Sequence, residues 1–434
     1  MTRDIAIVLF AFLLFVALIL SGKVKIHVAA IAIPIILEIT GVLDFSQAWG
    51  GLTNSSVVMM ASMFVVGTAV GKTSLLSKMS KTLIKPGSSD FKIMLGLAIP
   101  ALFLGCFTNA TASMTIMVPL ITAVCAEHKR PLSKFMLPVA AFCQTWVGFL
   151  PTGGNAAGYI TNNTIVENLG GTGTFTYFTA MISRIPVQLI ILPLICWLCV
   201  KLAPDLGNVP TAEDEVKANS QAEANAKKYA SKLTPGQERF TLIVFGLTVL
   251  GIVVCALNRI NTWYPSLVGA LVLVVCGILT DKEAIASMGS PVIFITVGTL
   301  PLATALKVTG ADVLLADMFN KLTGNMPPVM IMLCMYIICM ILTQFVSRSA
   351  VSSAFRTLAA VIAVQNGYDP RALMLAVTEG ANNAYCTPMA EPAITIGSEK
   401  GGYTMWQHFK MTFPLMLVDL LIFAIYIPLV FPLK

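Results

Sequence analysis

Charge is what this chain most lacks. Asp, Glu, Lys and Arg make up 11% of its 434 residues, against 56% hydrophobic residues and a mean hydropathy of +0.83. An ordinary soluble domain carries about 25% charged residues, so the composition excludes one and indicates a polytopic helical membrane protein. Alternating segments of about ten residues, the mark of a spanning barrel, are missing. Histidine is nearly missing too: His27, His128 and His408 are the only three. No HExxH run and no phosphate-binding GxxxxGK[ST] loop occurs, which argues against a metalloprotease and an ATP-driven pump. The 10 cysteines sit almost wholly inside apolar runs, and the close pair Cys196 and Cys199 reads as helix packing. No cleavable leader is expected, because 5–20 reads as a retained first span. The net charge of +7 is read as basic cytoplasmic loops and not as a nucleic-acid surface.

What is present centres on 106–119, CFTNATASMTIMVP, where Thr108-Asn109-Ala110-Thr111 interrupts two apolar arms, 93–107 and 112–126. Each arm falls short of the roughly 20 residues a crossing takes. A polar knot in hydrocarbon has to find partners, since an unpaired group costs several kcal/mol. The expected solution is a re-entrant hairpin over 91–127 with its tip near the midplane. Basic residues flank both mouths, with lysines between 72 and 92 on an expected amphipathic interfacial helix and Lys129-Arg130 after the exit. Both mouths are therefore placed on the cytoplasmic side. The chain then runs outward over 132–150 and breaks at Pro151-Thr152-Gly153-Gly154-Asn155. A polar segment, 161–174, is expected to face the exterior before 177–200 returns.

The plan repeats. Val66 and Val297 lie 231 residues apart, Thr73 and Thr309 236, Thr108 and Ser347 239, and Thr152 and Thr387 235. Four landmarks in one order at nearly one offset indicate a duplication. The fold class expected is all-α, with two inverted-topology repeats of five crossings, each with a re-entrant hairpin and a broken helix. The repeats are 1–200 and 239–434, joined by a cytoplasmic linker, 201–238. The second hairpin, 328–366, opens to the exterior, and an odd number of crossings per unit inverts the second and leaves both termini outside.

Inverted repeats with hairpin tips facing broken helices form the architecture of a secondary transporter. Thr108, Asn109 and Thr111 should converge with Thr152, Gly153, Gly154 and Asn155. Ser347, Arg348, Ser349 and Ser352 should converge with Thr387. Backbone carbonyls and an Asn oxygen suit Na⁺, while half-helix N-termini with hydroxyls suit a carboxylate.

These tips and breaks resemble the ion transporter superfamily and, within it, the divalent anion–sodium symporters, which carry dicarboxylates, citrate or sulfate. That family has Ser-Asn-Thr at each tip and a Gly-Thr-Pro-Pro-Asn-like break after it. Here the tips read Thr108-Asn109-Ala110 and Ser347-Arg348-Ser349, and the breaks Pro151-Thr152-Gly153-Gly154-Asn155 and Cys386-Thr387-Pro388-Met389-Ala390. The resemblance implies Na⁺ at Asn109, Thr152, Gly153, Gly154 and Asn155. It implies substrate at Thr108, Asn109, Thr111, Ser347, Arg348, Ser349, Thr387 and Pro388. It further implies a homodimer and an elevator movement in a bacterial inner (plasma) membrane.

Three departures matter. Ala110 and Ala390 replace polar residues of the family pattern, and Arg348 stands where the family has Asn. A guanidinium cannot coordinate Na⁺. It can replace a second sodium charge, grip an anionic substrate through its planar fork, or pair with Glu379 or Glu391. Glu379 is also a candidate proton carrier, while Lys307 and Arg356 are read as reaching for an interface. The expected function is cation-coupled transport, with Na⁺ as coupling ion, of a small di- or tricarboxylate-like anion. Proton coupling, anion exchange and cation/proton antiport on the same fold are the alternatives. No enzyme activity, cofactor or nucleic-acid partner is expected, and membrane lipid is the surrounding partner.

Overall fold

The computed structural model describes residues 2–21, 23–73, 88–107, 109–149, 157–211, 233–258, 260–324, 326–389 and 391–433. Every regular element among them is helical. The first half supplies α1 (Arg3–Ser21), α2 (Ile26–Ile39), a short α3 (Phe45–Trp49), α4 (Ser55–Gly71), α5 (Asp90–Phe107), α6 (Ala110–Glu127), α7 (Met136–Thr145), α8 (Gly158–Asn168) and α9 (Thr179–Leu194). The second half supplies α10 (Pro235–Leu257), α11 (Trp263–Val275), α12 (Asp281–Met288), α13 (Pro291–Thr309), α14 (Ala311–Thr323), α15 (Pro328–Leu342), α16 (Arg348–Asn366), α17 (Pro370–Asn382), α18 (Pro392–Gly401) and α19 (Met405–Val430). Five helical stretches among the described residues are long and apolar enough to cross a membrane.

Local chemistry sets many of the boundaries. Asn54 opens α4 by accepting from the Ser56 amide at 2.9 Å. Thr234, Thr280 and Thr404 each close a capping box with a Gln or Glu three residues on, satisfying amides a helix start would otherwise leave bare. Gly310, with φ of 75°, ends α13 in the left-handed conformation that an L side chain resists.

Each polar tip lies between two helices that pack on one another, α5 with α6 and α15 with α16. At the first, the Arg130 guanidinium reaches Asp90 at 2.9 Å and Lys134 reaches it at 3.1 Å. Asp90 begins α5 and Arg130 lies just past the end of α6, so the two arms fold back and their far ends meet. At the second, Asn320 near the end of α14 donates to Asn366, the last residue of α16, at 2.9 Å.

Packing between the halves is reciprocal. Helix α2 lies on α13 and α4 on α11; α6 lies on α18 and α16 on α8; α5 and α6 both touch α7, as α15 and α16 both touch α17. The seam between α2 and α13 is close enough that a Cβ on Gly298 would collide with the Ala30 carbonyl. Small residues are what allow apolar helices to approach so nearly.

Several expectations change. Lys72 does not belong to an interfacial helix: it is buried after α4 and pairs with Glu283 of the other half at 2.6 Å. Lys92 lies inside α5, and 74–87 fall outside the described residues. Most of the polar segment 161–174 is helical, forming α8. There the Asn163 amide both donates to the Phe175 carbonyl and accepts from its amide, each at 2.9 Å. The linker begins with a docked stretch in which Asn208 bonds the Ser133 amide and the Gly401 carbonyl, whereas 212–232 lie outside the described residues. The helix holding Cys196 widens to a π-helical turn over Ile195–Cys199, with Cys196 buried in the core.

Candidate anion site

A cavity of about 220 Å³ opens beside the second tip. Its charged lining is Arg184 from α9, Arg348 and Arg356 from α16, and Glu379 from α17. Ser349, Ser352, Ser353, Thr378 and Asn382 add hydroxyl and amide groups. Three guanidinium groups against one carboxylate leave the wall cationic. Such charge inside an apolar protein is costly without a partner.

One partner is explicit. Arg184 and Glu379 are only 5% and 8% exposed, and the Arg184 Nε donates to both Glu379 oxygens, at 2.9 and 2.7 Å. Its Nη1 donates to the Val147 carbonyl at 2.5 Å, tying α17 to the segment that leads into the first break. Asn382 then bridges, donating to Glu379 at 3.3 Å and accepting from Arg348 Nη1 at 2.9 Å. Arg348 forms no salt bridge with Glu379 or Glu391 among the described residues; its hydrogen bond goes to the neutral Asn382, while the Glu391 carboxylate attracts it electrostatically. Arg348 also occupies the first turn of a 19-residue helix, where unpaired amides and the helix dipole favour an anion.

Of the residues expected in the site, the structure brings Arg348, Ser349, Ser352 and Glu379 together around this cavity. Ser347 caps α16 with its backbone, and its buried hydroxyl has no hydrogen-bond partner among the described residues. The Thr387 hydroxyl donates to the Gln344 carbonyl and the Pro388 carbonyl accepts from Thr395, so both brace the second break and neither lines the cavity. Asn109 and Thr111 lie at the start of α6, away from the cavity wall, with the Asn109 carbonyl accepting from the Ser113 amide and hydroxyl at 3.0 Å. Thr108, Thr152, Gly153, Gly154 and Asn155 lie outside the described residues.

Sequence reasoning missed two of the cavity's arginines. Arg184 is one, since its partner is 195 positions away. Arg356 is another: it faces the cavity and does not extend to an interface. The spacing 348, 352, 356, which stacks residues on one helix face, was the available signal. Outside the cavity wall, His408 reaches the residue just before the second break. Its Nε2 meets the Tyr385 carbonyl at 2.9 Å and its Nδ1 the Ser398 hydroxyl at 3.0 Å. A carbonyl only accepts, so Nε2 carries the proton, and a neutral ring then accepts from Ser398. No group of three or more potential metal-ligating side chains occurs among the described residues.

The model of the citrate transporter family (CitMHS) matches residues 16–380. The chain belongs to that family. Its membrane-length apolar helices make it an integral membrane protein. It is 24% identical over 191 residues to the uncharacterized transporter YfbS of Escherichia coli (strain K12), an alignment covering 44% of this chain and 29% of that one. Its span of that relative is thus under a third. It is 23% identical over 398 residues to the sodium-dependent dicarboxylate transporter SdcS of Staphylococcus saprophyticus, covering 84% and 75%. Its fold is similar to the crystal structure of the YdaH transporter of Alcanivorax borkumensis, with a TM-score of 0.62 at 13% identity over 96% and 98% of the two chains.

Proposed function

We propose that this protein is a secondary active carrier of a small organic anion bearing carboxylates, binding it in the cavity at the start of α16. The observation that carries the reading is the cationic wall: among the described residues neither Arg348 nor Arg356 forms a salt bridge with a carboxylate, while the Glu379 charge is already taken by Arg184. An anion supplies the missing countercharge. The naming of a relative as a sodium-dependent dicarboxylate transporter supports the same class.

Two inverted repeats, 1–200 and 239–434, with re-entrant hairpins 91–127 and 328–366, would give this carrier its alternating access. The reciprocal packing of the halves and the meeting of Asp90 with Arg130 support that layout. In the proposed cycle Na⁺ is the coupling ion, held by Asn109 with Thr152, Gly153, Gly154 and Asn155. Arg348 provides a fixed positive charge where a second ion would sit. The hairpin regions move as an elevator within a homodimer in the bacterial plasma membrane.

The test is uptake of labelled succinate and citrate into vesicles containing the purified protein, under imposed Na⁺ gradients, H⁺ gradients or internal unlabelled substrate. Saturable uptake driven by the Na⁺ gradient is expected. Uptake that follows only the H⁺ gradient makes the protein a proton-coupled carrier, a role in which Glu379 is the carboxylate at hand. Dependence on internal substrate alone makes it an exchanger. Cation flux with no anion uptake makes it an antiporter and ends the anion reading. Arg348→Asn is expected to abolish uptake or steepen its Na⁺ dependence; unchanged uptake with unchanged Na⁺ dependence would remove Arg348 from the mechanism.

A further inference from the structure

Arg356 sits two helical turns beyond Arg348 on the same face of α16. At 100° per residue, positions 348, 352 and 356 fall within an arc of about 80°. All three line the cavity, with Ser349 and Ser353 beside them. The stripe is thus hydroxylated along its length and carries an arginine at each end. Arg130, Arg184 and Arg371 all pair with a carboxylate. Arg356 has only the neutral Ser352 hydroxyl, which its Nη2 meets at 2.8 Å, and its buried Nε has no hydrogen-bond partner among the described residues. An unmet guanidinium donor facing a polar cavity calls for an anionic acceptor.

We propose that Arg356 is a specificity-determining residue that holds the second carboxylate of a dianionic substrate whose first carboxylate lies at Arg348. The proposal rests on the carrier reading above and adds the residue that selects the charge number. The backbones of the two arginines stand about 12 Å apart along the helix axis, and the Arg356 side chain reaches back toward Arg348 as far as Ser352. A substrate with two carboxylates joined by a short carbon chain can place one at each guanidinium, each held by charge-assisted hydrogen bonds of about 2.8 Å. Ser349, Ser352 and Ser353 then face the middle of the substrate, where a hydroxyl on the chain would find partners.

The experiment compares binding of succinate and of its monoamide, succinamate, to purified full-length protein by calorimetry, for the unaltered protein, Arg356→Gln and Arg356→Lys. The two ligands match in length and differ by one charge. The unaltered protein is expected to prefer succinate about tenfold or more, the worth of a hydrogen bond to a charged group. Arg356→Gln is expected to weaken succinate far more than succinamate, bringing the two to similar affinity. Arg356→Lys, which keeps a charge but loses the fork, should restore part of the preference. A packing role would weaken both ligands alike, so an unchanged succinate-to-succinamate ratio in Arg356→Gln overturns the proposal while leaving the carrier reading intact. Absence of carboxylate binding and of uptake in the unaltered protein overturns both.

Discussion

At the scale of single residues, the Arg184–Glu379 pair carries the greatest energetic weight in the site. Both groups are buried, and removing one leaves the other charged without a partner, which costs about 3–5 kcal/mol in comparable pairs. Arg184→Gln is expected to lower the midpoint of thermal unfolding in detergent sharply. Adding Glu379→Gln should recover most of the loss, since two neutral amides can bond one another. Little of this was legible beforehand. Glu379 stood out in sequence as a carboxylate in an apolar helix, yet nothing local connects it to a position 195 residues earlier. Thr387 teaches the converse: its place in a break read as a ligand, while its hydroxyl is committed to the Gln344 backbone.

Among the elements, those with a strong apolar run were legible and those formed by packing were not. Helix α2 spans Ile26–Ile39, the bounds its apolar run gives. The two helices flanking the first polar tip appear within a few residues of the limits their apolar runs give. The short helices α8 and α18, which follow the two breaks, carry Asn, Thr, Ser and Glu in place of an apolar period, and their order comes from contacts such as the Asn163 clamp on Phe175. The seam between α2 and α13 offers a direct check. Gly298→Leu must push the helices apart at Ala30, and overpacking of this kind costs about 1–3 kcal/mol or more. A lower aggregation temperature with Gly298→Leu, and an unchanged one with leucine at the open position Gly246, is the expected pair of results.

For the whole molecule, the sequence offered repeated landmarks but not how the two halves fit together, because one sequence holds no record of which faces meet. The structure joins them at α2 with α13, α4 with α11, α6 with α18 and α9 with α19, and Lys72 pairs with Glu283 across the same divide. Each half thus presents faces shaped for the other. Co-expression of 1–211 with 233–434 as separate chains is expected to yield a complex that purifies through a tag on either half, while each half alone aggregates. Recovery of either half as a stable monodisperse protein would contradict this. The same arrangement sets a timetable for synthesis. Helix α2 is complete at Ile39 and its partner α13 begins only at Pro291, so at about 5–20 residues per second the ribosome needs roughly 13–50 s to deliver it. Throughout that interval the small-residue face of α2 around Ala29 and Ala30 rests against lipid or an insertion factor, which makes this seam the point where slowed translation would most directly lower the yield of folded carrier.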